Sequence, residues 1–295
     1  MAFAAMVVLS IAIFWHALQV LVLFSLSRES SSHIALIPLV SIYLLYAERL
    51  RVFQIVRTGS VLGGVVALAA IVLYLFVWRR WPIQDPEQFL PGAALAIVFF
   101  WFGGFLLCYG GDAWRRASFA LLFLLLMIPL PSPILERTIY YLQQGSTEIA
   151  FLLFKAFGVP VLRQGFILSV PGVTIEVAKE CSGIRSSMAL LITCLLAAHL
   201  FLSTTWKKLV FVLLAVPLGI IKNGIRITTL TLLSIYVDPS FLHGNLHRDG
   251  GFVFFFLALA ILAPVLIAFQ RSDERKLGRN GQVVPPETDS GLVPG

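Results

Sequence analysis

The sequence predicts an all-α polytopic membrane protein with about eight transmembrane helices. Two observations indicate this fold class. Apolar residues make up 59% of the 295 residues and only 13% carry a charge, whereas a soluble domain has about 45–50% and 25%. These apolar residues are also grouped in long runs that short charged segments separate. With a mean hydropathy of +0.91, the composition excludes a soluble enzyme, a nucleic-acid-binding protein and a disordered chain.

The apolar runs define the candidate spans, because a helix needs about 20 apolar residues to cross the bilayer core. The second run has only 14 residues and is therefore either a short span or a re-entrant segment. The seventh run contains Lys222 and Arg226 and is still counted as a span. The eight runs are 3–26, 34–47, 61–78, 89–109, 119–135, 186–202, 209–237 and 252–269.

Lys and Arg in short loops set the orientation of a helical bundle in the membrane. The loops 48–60, 110–118 and 203–208, together with the C-terminal segment, hold 11 such residues, and the loops on the other side hold four. Both termini are therefore expected in the cytoplasm. Residues 270–295 hold eight charges and two adjacent prolines, which predicts a mobile cytoplasmic tail after an integral membrane domain of residues 1–269.

The segment between the fifth and sixth spans, from about 131 to 185, is long and lies outside the membrane in this topology. Its polar residues Arg137, Gln144 and Glu148 have mostly helical spacing, which predicts a small amphipathic helix at the extracytoplasmic interface. After Gly158, Val and Ile are frequent and glycines occupy turn positions. This part is predicted to form a small β-hairpin-like segment.

Three residues on the predicted extracytoplasmic side form a candidate catalytic set. Cys181 opens the sixth helix, where the helix dipole and Arg185 favour the thiolate. Arg226 lies in the outer half of the seventh helix, and His247, or His243 before it, can act as a general base. Each residue also has a bland explanation, namely an inert cysteine, a structural cation and a solvated histidine. Together, a thiol, a base and a cation near an oxyanion describe acyl transfer at a peptide bond.

Three short boxes follow one another along the chain, E-C-S-G-I-R-S at 180–186, N-G-I-R at 223–226 and H-R-D-G-G at 247–251. They match the Cys, N-x-x-R and H-x-x-x-G boxes of the exosortase/archaeosortase transpeptidases, which the sequence resembles from about residue 31 to 269. The histidine of the third box favours the bacterial exosortase branch. The family usually has Trp after the last glycine of this box, where this chain has Phe252.

The resemblance implies a membrane-embedded cysteine protease and transpeptidase of the bacterial inner membrane, with its active site facing the periplasm. Its partners would be membrane-anchored proteins with a C-terminal sorting signal of the PEP-CTERM type, which consists of a Pro-Glu-Pro motif, a hydrophobic helix and a basic cluster. The family's nucleophile corresponds to Cys181, its arginine to Arg226 and its histidine to His247. The enzyme would form a thioacyl intermediate and transfer it to an acceptor amine, without a metal or another cofactor.

Four further residues are candidates for substrate binding. Arg185 or Lys179 is positioned in sequence to pair with the acid of the motif, because a partly desolvated carboxylate needs a partner. Glu180 is a candidate to orient His247 or to hold Arg185, and Asn223 belongs to the second box. Two alternative functions remain at this stage: a polytopic transporter or flippase, and a non-catalytic component of exopolysaccharide export.

Overall fold

Helices form most of the structure. A computed structural model describes residues 2–54, 60–242 and 251–280. The α-helices are α1 (Ala2–Ile13), α2 (Trp15–Ser27), α3 (Ile37–Ala47), α4 (Arg49–Val52), α5 (Val61–Arg80), α6 (Pro86–Phe123), α7 (Ser132–Ala156), α8 (Ile184–Phe201), α9 (Thr205–Tyr236) and α10 (Gly251–Asn280). Short 3₁₀ turns lie at Glu29–Ser31, Leu124–Met127, Lys179–Ser182 and Pro239–Leu242. The predicted helical membrane architecture is therefore present, together with one small sheet.

Five of the described helices, α5, α6, α8, α9 and α10, are long and apolar enough to cross a membrane. A sixth span is possible if α1 and α2 are counted together, although the two are bent by 82° at the break between them. Helix α3 has 11 residues, fewer than the roughly 20 that a full crossing needs. The chain is thus a multi-pass membrane protein, and the predicted number of eight spans is not confirmed.

Helix α6 contains the fourth predicted span and residues 119–123 of the fifth, because it continues through the predicted loop 110–118. The rest of the fifth predicted span, 124–135, covers a 3₁₀ turn and the start of α7 instead of one continuous helix. The predicted loop is charged but contains no proline. Charged residues mark the end of an apolar run, but they do not by themselves end a helix. The helical geometry is interrupted only at Gly110, where φ is 77° and ψ is 179°. Glycine adopts this positive φ without the steric cost that a side chain would bring. Gly110 therefore separates the fourth predicted span from the part of α6 that leads into the fifth.

Helices α5 and α6 are in backbone contact through two glycines. A Cβ added to Gly63 would lie 2.3 Å from the backbone nitrogen of Leu107, and one added to Gly103 would lie 2.5 Å from that of Ala67. Small residues permit such close approach between membrane helices, where packing rather than the hydrophobic effect drives association. The two glycines therefore set the distance between α5 and α6.

Helix α9 organises the second half of the bundle and packs against α7, α8 and α10. Its first turn is attached to α10 by Lys207, whose Nζ donates to Asp273 Oδ1 at 2.5 Å and to the carbonyl oxygen of Phe269 at 3.1 Å. The side chains of Lys207 and Asp273 are only 2% and 5% exposed. Packed helix thus continues past residue 269, where the tail was predicted to begin, and residues 281–295 lie outside the described chain.

A three-stranded antiparallel sheet follows α7, with the order β1 (Leu162–Gln164), β2 (Ile167–Val170) and β3 (Val173–Glu176). Between β2 and β3, Gly172 has a φ of 86°, as the third position of a Pro-Gly turn requires. Leu168 and Val170 share a buried cluster with Ala150 and Phe154 of α7. The predicted hairpin is therefore one strand larger, and we call this end of the bundle the sheet end.

The glycine contact between α5 and α6 is testable with a neighbouring pair of variants. Gly63→Ala should lower the melting temperature by about 2–10 °C, because its Cβ would overlap backbone atoms. Gly64→Ala is the matched control, since its added Cβ meets only Leu107 Cδ1, at 4.0 Å. Thermal unfolding of both proteins in detergent compares them. Equal melting temperatures would contradict the assigned contact.

Candidate active site

Cys181 lies in the 3₁₀ turn Lys179–Ser182, which connects β3 to α8. Its backbone nitrogen donates to the carbonyl oxygen of Ala178 at 2.9 Å, and its side chain is half-buried. Gly183 follows with a φ of 76° and is the residue from which α8 begins. The cysteine thus precedes the helix instead of lying within its first turn, but it remains at the N-terminal end of α8.

Asn223 of α9 holds this turn in place. Its Nδ2 atom donates to the carbonyl oxygen of Cys181 at 2.8 Å and to Ser146 Oγ of α7 at 3.0 Å. Gly183 packs against the same amide, since an added Cβ would lie 2.8 Å from Asn223 Cγ. The side chain is 2% exposed, so the structure places this predicted substrate-binding residue in the interior, where it positions the turn.

Helix α7 supplies a second buried polar contact to the same region. Gln143 Nε2 donates to the carbonyl oxygen of Val177 at 2.8 Å. Gln143, Ser146 and Thr147 are all buried, whereas the polar residues from which the amphipathic helix was predicted are exposed. Sequence analysis missed this second polar face, although its spacing of three to four residues is a helical signal.

Cys181 and Arg226 line one small cavity of about 50 Å³, which we call the cysteine cavity. Its other walls come from β3, from the residue after it and from α9: Ile175, Glu176, Val177, Ile227, Leu230 and Thr231. Both functional side chains are half-buried. A guanidinium that lines the same small cavity as a thiol is suited to stabilise an oxyanion formed on a thiol adduct.

The predicted catalytic set also includes a histidine. His247 and the alternative His243 both lie outside the described residues. Within the described chain, the residues that line the cysteine cavity include Glu176 but no histidine. The role of the base therefore remains a prediction from the sequence.

Lys222 lies one helical turn before Arg226 and has a different environment. Its side chain is 3% exposed, and its Nζ donates to Ser186 Oγ of α8. Ser186 Oγ in turn donates to the carbonyl oxygen of Gly183 at 3.1 Å. A buried ammonium requires such hydrogen-bond partners. Lys222 therefore connects α9 to the first turn of α8, the helix that follows the turn with Cys181.

The remaining predicted substrate-binding residues lie at the surface or outside the described part. Arg185 is exposed in the first turn of α8. Lys179 is exposed and lines a larger cavity next to the turn. The side chain of Glu180 lies outside what the structure describes. Of the predicted residues, the structure thus brings Cys181, Arg226 and Asn223 together.

The bundle, the sheet and the shared cavity define a multi-pass membrane protein with a thiol and a guanidinium at one site. A family model described as transmembrane exosortase (Exosortase_EpsH) matches residues 4–264. The chain therefore belongs to the transmembrane exosortase family, and the family predicted from the three sequence boxes is confirmed. Comparisons with curated proteins and with solved structures give no match.

The anchoring role of Asn223 predicts a local effect of its substitution. Asn223→Asp keeps the shape but removes the donor to the carbonyl oxygen of Cys181, and the loss of this buried hydrogen bond costs about 1–3 kcal/mol. Amide hydrogen exchange in residues 179–183 should therefore accelerate by about 5- to 150-fold. The control is Thr228→Val, which removes only a hydroxyl bond within α9. Unchanged exchange in Asn223→Asp would refute the anchor.

Proposed function

We propose that this exosortase is a cysteine transpeptidase that removes the C-terminal sorting signal of exported proteins. The observation that carries the proposal is the shared cysteine cavity, which joins Cys181 and Arg226 although they lie in different elements. Family membership supports the same conclusion. The sulfur is the nucleophile, the arginine stabilises the oxyanion, and His247 is the general base and acid.

The reaction proceeds in two acyl-transfer steps. His247 accepts the thiol proton as the sulfur of Cys181 bonds to the substrate carbonyl carbon, and the oxyanion of the tetrahedral intermediate is stabilised by Arg226. The C–N bond then breaks, His247 returns the proton to the leaving amine, and the C-terminal helix departs. The acceptor amine next attacks the thioester, loses a proton to His247 and displaces the cysteine sulfur, which recovers the proton.

The substrate in this proposal carries a Pro-Glu-Pro-type motif, a hydrophobic helix and a basic cluster. A lipid-compatible helix needs an apolar path to the site, and an apolar cavity of about 530 Å³ between α7 and α9 supports such a path. Its walls include Leu153 of α7 and Phe157, the residue directly after this helix. On α9 it begins at Ile225, beside Arg226, and extends to Tyr236 and Val237. A helix bound there would end close to the cysteine cavity.

The proposed location is the bacterial inner membrane, with the sheet end in the periplasm and both termini in the cytoplasm. The excess of Lys and Arg in the loops assigned to the cytoplasm supports this orientation. The eight crossings would then include the short helix α3 and the two parts of α6 that Gly110 separates. A cell that uses this enzyme would export proteins with Pro-Glu-Pro-type sorting signals together with its exopolysaccharide.

The proposal is tested with a reporter protein that ends in Pro-Glu-Pro, an apolar helix and an arginine cluster, reconstituted with the enzyme in liposomes. Cys181→Ala should abolish cleavage, because no nucleophile remains, and Arg226→Gln should lower kcat by about 10²–10³. Cys108→Ala is the control, since this half-buried cysteine lies on α6. Gel analysis follows cleavage. Wild-type cleavage by Cys181→Ala would exclude the cysteine mechanism.

A further inference from the structure

A second cavity, of about 620 Å³, lies beside the turn that carries Cys181. We call it the sheet-end cavity. Its volume falls in the range of about 300–1,000 Å³ that is typical of ligand sites. Two acidic, two basic, two aromatic and two other residues line it: Glu136, Glu176, Arg137, Lys179, Tyr140, Phe166, Gln143 and Ala178. It therefore combines charged and apolar surface from α7, the sheet and the turn.

The sheet-end cavity borders the cysteine cavity. Glu176 lines both this cavity and the cysteine cavity. Lys179 begins the 3₁₀ turn that contains Cys181, two positions further on. A peptide bound in the sheet-end cavity would therefore lie close to the turn that carries the nucleophile.

The two cations of this cavity come from different parts of the chain, Arg137 from α7 and Lys179 from the turn. Within the described residues, none of the four charged side chains of the cavity takes part in an ion pair, and all four are exposed. Two cations can therefore bind one ligand carboxylate through charge-assisted hydrogen bonds. Because two acids balance them, the cavity is not a general anion site, and the position of the carboxylate decides whether it binds.

Two aromatic rings in contact form the apolar part of the cavity. Tyr140 and Phe166 form an edge-to-face pair, with ring centroids 5.6 Å apart and an interplanar angle of 79°. Tyr140 is 50% exposed, so part of its ring is available to a ligand. Aromatic surfaces of this kind bind proline rings in extended peptides, which lose little conformational entropy on binding.

We propose that the sheet-end cavity binds the extended motif of the substrate beside the scissile bond. Arg137 and Lys179 bind its acidic side chain, and Tyr140 and Phe166 contact the flanking prolines. This inference rests on the proposed function and assigns substrate specificity to α7, which none of the three sequence boxes includes. Arg137 is thereby a specificity-determining residue rather than only an exposed charge on an amphipathic helix.

The experiment compares three reporters in liposomes with the full-length enzyme, with Pro-Glu-Pro, Pro-Gln-Pro or Pro-Arg-Pro before the apolar helix. The wild-type enzyme should favour the Glu reporter. Arg137→Gln should lower kcat/KM for the Glu reporter by about 10- to 100-fold and bring it close to that of the Gln reporter. Arg137→Glu should reverse the charge preference and favour the Arg reporter.

The matched control is Arg163→Gln, on β1, where Arg163 pairs with Glu148 away from the cavity. This variant should keep the wild-type order of the three reporters. Arg137 variants that keep the wild-type ratios, or that lose activity equally on all three reporters, would overturn the inference, the second result indicating a lipid headgroup or a structural role. If the wild-type enzyme cleaves no reporter, the proposed function fails, and the inference fails with it.

Discussion

The side-chain amide of Asn223 connects the three parts of the chain that form the site. It donates to the backbone of Cys181 and to Ser146 of α7 from a buried position on α9. Arg226 is three residues further along the same helix and therefore lies on nearly the same face. A hydrogen bond that fixes the turn against Asn223 thus also fixes the thiol next to the guanidinium. Gly183 permits this contact because a side chain there would overlap the amide.

Helix α9 is held at several points along its 32 residues, which extend about 48 Å at 1.5 Å per residue. Near its start, Lys207 is buried against Asp273 of α10. Near its middle, Lys222 reaches Ser186 of α8, one turn before Arg226. Buried charges are costly in a membrane and persist where their partners are fixed. These contacts attach α9 to α10 and α8, so the position of Arg226 depends on the packing of the second half of the bundle.

The sequence was sufficient for the fold class because apolar composition and run length determine it directly. The family was predictable because each of its three boxes is a short, unbroken stretch of sequence. The number of spans was harder to predict from the sequence, because the bend between α1 and α2 occurs at Phe14, without a proline or glycine to signal it. In α6, the charged residues 112–116 resemble a loop but remain helical.

The details of the site depended on contacts between distant residues. Asn223 was identified through its box, yet its partners Cys181 and Ser146 lie 42 and 77 residues away in sequence, and no local pattern indicates them. The sheet-end cavity likewise forms only because α7 folds over the sheet and brings Arg137 near Lys179. Such pairs follow from tertiary packing, which hydrophobic periodicity alone does not encode.

A structure of the enzyme alkylated by a Pro-Glu-Pro peptide chloromethyl ketone would test the arrangement at the nucleophile most directly. The ketone carbon takes the place of the scissile carbonyl and its oxygen that of the developing oxyanion. We expect a thioether on Cys181, the ketone oxygen within hydrogen-bond distance of the Arg226 guanidinium, and an intact bond from Asn223 to the Cys181 backbone. A ketone oxygen directed away from Arg226, or alkylation of another residue in place of Cys181, would contradict this arrangement.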